Sequence, residues 1–119
     1  MKLKHDCIRE VLLVIESDLK LNNVLDNEDL ENTIKFFSRD DIEYTVKQLT
    51  GAGYIEAEFY MEGYFIKHMT FAGHNLLDDI RDVKVWKETK DTASKISSAS
   101  IPVIQQIASS VINKMLGLQ

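Results

Sequence analysis

One cysteine, one proline and no apolar run longer than five residues set the first limits on this chain of 119 residues. A single Cys7 excludes an internal disulfide and any CxxC metal knuckle, and it reads as a small buried hydrophobe of the first helix. The longest apolar run, Val11 to Ile15, is far below the length that spans a bilayer. No basic stretch followed by an apolar segment and a small-residue cleavage site opens the sequence, so a cytoplasmic location is expected. Low-complexity and disordered classes are also excluded, because 45% of the residues are hydrophobic and 28% are charged. That length and composition suit one core plus an appendage.

Positive charge is scarce where a nucleic-acid reader would need it. From Met1 to Phe37, five cations oppose eight acids; from Ser38 to His68, three oppose six. Only from Lys84 onward do cations exceed acids, five to two. The centre is acidic and the tail basic.

What is present is a sequence of period changes. In 4–19, Cys7, Val11, Leu12, Val14 and Ile15 recur at helical spacing and predict a buried first helix. "KLNNVLDNEDLEN" is polar and predicts a connection with at most a short helical turn. "TIKFF", 33–37, is β-branched and aromatic and predicts a short strand, with a helix over 28–36 as the alternative. Ser38 followed by Asp41 resembles a capping box and starts a second strong helix. Its Ile42, Thr45, Val46 and Leu49 face inward, leaving Asp40, Glu43, Tyr44, Lys47 and Gln48 outward, and Gly51 and Gly53 are expected to end it.

The period then becomes two. Ile55, Ala57 and Phe59 alternate with Glu56, Glu58 and Tyr60, "MEGY" turns the chain, and Tyr64, Ile66 and His68 alternate with Phe65, Lys67 and Met69. Thr70 caps a further helix carrying Phe71, Leu76, Leu77 and Ile80, which continues into "VKVWKETK" with Trp86 as an anchor. "TASKISSAS" reads as a linker. Ser100 and Pro102 begin a last helix, and Gly117 stops it. Its aliphatic face contains Ile104, Ile107, Ala108, Val111, Ile112, Met115 and Leu118. The expected division is a winged-helix domain over 1–91, a linker over 92–100 and an amphipathic helix over 101–119.

Helix, connection, helix ending "QLTGAGYI", hairpin, then "HMTFAGHNLL" is the winged-helix order. With "MKLKHDCIREVLLVIE", "MTFAGHNLLDDIRDVKVW" and the tail beginning "IPVIQQ", the chain resembles the YjcQ-like family of small bacterial and phage-borne winged-helix proteins. The resemblance implies an α+β winged-helix fold and an accessory cytosolic role. No clear second helix is expected ahead of the recognition-like one.

No phosphate loop, nucleophile elbow or HExxH motif is present, so no enzymatic activity and no cofactor are expected. His74, Asp78 and Asp82 recur at steps of four, but one solvated face does not provide a metal's converging ligands, and no metal site is expected. His5 and His68 stand apart and read as surface residues. The recognition-like face offers Tyr44, Lys47 and Gln48 among carboxylates. This mixture fits contact with a protein partner better than with phosphates, with a DNA-binding transcriptional regulator as the alternative. The tail stripe must be covered by its own domain or by a second copy in a homodimer. Neither a membrane nor a small-molecule substrate is evident as a partner.

Overall fold

The computed structural model describes residues 1–118. Two units emerge, Met1–His74 and a second beginning at Asn75. The first carries eight cations against fourteen acids and the second six against five, so the negative charge resides in the first.

In the first unit, α1 (His5–Asp18) buries Cys7, Ile8, Val11, Leu12 and Ile15, the stripe its spacing predicts, with Ile8 added and Val14 only half-buried. After a turn, β1 (Leu25–Asp26) leads directly into α2 (Asn27–Thr33), and Asp26 caps it by accepting the Asp29 N–H at 2.9 Å. The strand expected at 33–37 is therefore absent. Leu30 and Ile34, four residues apart, bury on one side of α2, and the helical alternative describes the segment better. β-Propensity in "TIKFF" gives way to that packing and to the cap, leaving Phe36 92% exposed in the turn that follows.

Next comes α3 (Arg39–Gly51), capped by the Ser38 hydroxyl, which accepts the Asp41 N–H at 3.1 Å. Ile42, Thr45, Val46 and Leu49 are buried, as the periodicity predicts. Of Gly51 and Gly53, only Gly53 takes the left-handed conformation, at φ +84°. Gly51 is the last helical residue instead of a stop. The Tyr54 N–H reaches back to the Leu49 carbonyl at 2.9 Å and the Gly53 N–H to Thr50 at 3.2 Å, which closes the helix end.

The hairpin comprises β2 (Ile55–Tyr60) and β3 (Gly63–Met69), and the antiparallel sheet order is β1-β3-β2. Its pairing is not a simple alternation. Glu56 lies opposite His68 but Ala57 lies opposite Ile66, so one strand carries an extra residue around Lys67. That bulge turns Met69 inward beside Ile55 and His68 outward, reversing the faces that strict period two assigns to these two residues.

Thr70 ties the wing to the next helix, α4 (Phe71–Ile80). Its hydroxyl accepts the Gly73 N–H at 3.1 Å and donates to the Gly53 carbonyl at 2.6 Å, while its N–H donates to Tyr54 at 3.0 Å. Gly73 sits so close to the Tyr54 carbonyl that a Cβ there would overlap it.

In the second unit, α4 ends at Ile80 and does not continue into the tryptophan segment. Asp82 caps a separate α5 (Val83–Ala93) by accepting the Val85 N–H at 3.0 Å. Trp86 is buried and Lys90 lies 5.8 Å from its ring. α6 (Ile101–Met115) packs on α5, with Ser100 as its cap and Pro102 in its first turn. Gly117, at φ +73°, closes α6 in the same way as Gly53 closes α3.

Candidate functional site: the α2–α3 and hairpin face

A helix pair, α2 and α3, now precedes the hairpin, so the second helix missing from the sequence reading is present. One internal network joins these elements. Glu31 of α2, whose side chain is only 5% exposed, accepts from Arg39 Nε at 3.1 Å through Oε1 and from the Tyr64 hydroxyl at 2.8 Å through Oε2. Tyr64 is fully buried. Burial, followed by the hydrogen bond and charge of Glu31, pushes the phenol well above its ordinary titration range, which keeps it protonated as the donor. α2, α3 and β3 are fixed to one another at this point.

Outside that network, the cations on this face are matched by neighbouring acids. Lys47 lies 3.5 Å from Glu43 and 5.7 Å from the centre of the Phe59 ring. Lys67 pairs with Glu58 at 2.8 Å, and that partner raises the lysine's pKa. At the entry to α3, Lys4 pairs with Asp41 at 2.8 Å, and its hydrogen bond holds the Asp41 carboxyl below the usual range. Of the residues expected on the recognition-like face, Lys47 and Gln48 are exposed and Tyr44 is half-buried. Sequence reasoning did not select Phe36, Phe59, Tyr60 and Met61, all exposed. A signal existed in the hairpin, where "FYM" crowds the turn, but no spacing rule marks an aromatic as uncovered.

The polar candidates do not converge. Asp82 is occupied as the α5 cap, Asp78 pairs with Arg81 at 2.9 Å, and Asp79 accepts from Gln105 at 2.9 Å. No group of three or more His, Cys, Asp or Glu side chains suited to a metal occurs among the described residues. His68 lies 3.6 Å from Glu56 on the outer hairpin face. In the tail, Ile104, Ala108 and Val111 are buried, Ile107 and Ile112 are half-buried, and Met115 and Leu118 are exposed. Among the described residues, no helix is long and apolar enough to cross a membrane.

Element order and sheet define an α+β protein compatible with a winged-helix-like fold bearing a C-terminal helix. The chain belongs to the family described as "Hypothetical protein (DUF2513)", which it matches over residues 2–100. It is also 35% identical, over 121 residues, to a Haemophilus influenzae protein described as "Uncharacterized protein", an alignment covering 98% of this chain and 99% of that one. No solved structure matches the chain.

Proposed function

We propose that this is a non-enzymatic regulatory or adaptor protein that works by docking a protein partner on the α3 and hairpin face. The observation carrying this reading is the pairing of Lys47 with Glu43 and of Lys67 with Glu58, in a unit with six more acids than cations. Affinity for a duplex comes chiefly from cations that displace counterions at phosphates. Here those cations are already neutralised, while Phe59, Tyr60 and Met61 offer the aromatic and methionine surface enriched at protein interfaces.

A second reading, a DNA-binding regulator of bacterial or phage origin, is favoured by one observation: α2, a turn, α3 and a hairpin follow in the order such proteins use. Fluorescence anisotropy with random duplex DNA at about 0.15 M salt separates the two. The docking reading expects no saturable binding. It also expects a photo-crosslinker at Tyr60 to capture a partner that one at Lys95 does not. Nanomolar retention of the duplex, lost with Lys47→Glu, would establish the DNA reading instead.

A further inference from the structure

A separate cleft of about 460 Å³ opens in the first unit where the C-terminal end of α1 and the turn after it meet the end of β3 and the start of α4. That volume lies within the range of small-ligand sites. Its apolar lining comes from Ile15, Leu19, Leu21 and Met69, and the polar groups are Lys20, His68 and His74, with Asn22 and Asn23 from the turn. Glu16 and Lys67 also line it.

Three features bear on what this cleft can hold. First, the Lys20 ammonium and the His74 imidazole, like Lys2 and Lys35 elsewhere in the unit, have no side-chain partner among the described residues, whereas Lys4, Arg39, Lys47 and Lys67 are all ion-paired. Second, the turn that lines the cleft is ordered. The Asn23 N–H closes it on the Lys20 carbonyl at 3.0 Å, and Asn22 adopts φ +67°, a left-handed conformation that asparagine tolerates better than most residues. Third, the β3 bulge brings Met69 inward, where it lines the cleft with Ile15. Uncommitted donors beside apolar lining match an anion attached to a hydrocarbon body.

We propose that this cleft binds a small organic anion, a carboxylate or a phosphate carried on an apolar body. Lys20 and His74 hold the charged group, the Asn22 and Asn23 amides add hydrogen bonds, and Ile15, Leu19 and Met69 take the apolar part. This proposal is independent of the docking face.

The test is a titration of the full chain, followed by amide chemical shifts, with benzoate and phenyl phosphate as probes. Benzamide serves as the neutral control and inorganic phosphate as the head group alone. Saturable shifts confined to Leu19–Asn23, Lys67–Met69 and His74 are expected, stronger for the aryl anions than for either control. Whichever aryl anion binds tighter identifies the head group. Lys20→Met and His74→Ala should each weaken the better probe by about tenfold, the scale of one charge-assisted contact, while leaving the remaining spectrum in place. Shifts that do not saturate, that fall elsewhere, or that benzamide reproduces equally would overturn the proposal. So would retention of full affinity by Lys20→Met and His74→Ala together, both exposed sites whose substitution leaves the core intact.

Discussion

Thr70 shows how much one side chain can settle. It receives the Gly73 N–H in the first turn of α4 and donates to the carbonyl of Gly53, so removing the hydroxyl loses a cap and a tie to the end of α3 together. Thr70→Ala should cost about 1–2 kcal/mol in chemical unfolding and Thr70→Ser much less. Gly73→Ala should destabilise by about 1–3 kcal/mol despite its higher helix propensity, because the added methyl meets the Tyr54 carbonyl and Met69. Tyr64 makes a different demand. Its phenol titrates higher folded than unfolded, so the stability it contributes is complete below the ordinary tyrosine range and is lost as pH rises through and above it. Tyr64→Phe should therefore flatten the alkaline limb of the stability profile. At neutral pH it should cost about 1–3 kcal/mol, since one oxygen of the buried Glu31 carboxylate loses its donor.

At the scale of elements, the clearest readings from sequence were those with long periods and explicit caps. α1 and α6 follow stripes of four or more apolar positions, α3 follows Ile42, Val46 and Leu49 with Thr45 among them, and Ser38 and Ser100 act as the N-caps read from the sequence. Two features were not legible. β1 has two residues, too few for any period, and exists because β3 offers it an edge. The bulge near Lys67 moves Met69 and His68 to opposite faces through pairing with β2, a choice made between strands and not within one. The end of α6 poses the question of a second copy, because Met115, Leu116 and Leu118 remain exposed. Three such side chains fall well short of the roughly 800 Å² per partner of a stable interface, so a dimer would have to recruit further surface. If it does, the parent should scatter as a dimer, and Met115→Asp with Leu118→Asp as a folded monomer. A parent that is monomeric at every concentration would confine the stripe to its own unit.

Across the whole molecule, charge separates the units more sharply than composition alone suggests, since the deficit of cations falls within Met1–His74. Acid sensitivity should start there. Asp41 is held below the usual carboxylate range by Lys4, so its contribution is present above that range and lost as pH falls through the depressed value. Lys4→Met should make stability less dependent on pH in the acid limb, which urea unfolding at successive pH values can measure.

The sequence by itself determined the helices with continuous stripes, the hairpin, the caps and the acidic centre, because these depend on neighbours within a turn or a strand. Tertiary structure decided whether 33–37 would be strand or helix end, which hairpin residues face inward, and which cations are spent in ion pairs. It also assembled Lys20, His68 and His74 around one cleft, although fifty-four positions separate the first from the last. Local pattern records the period of burial; it does not record which partner arrives to satisfy a charge, and that comes only from chain segments brought together by folding.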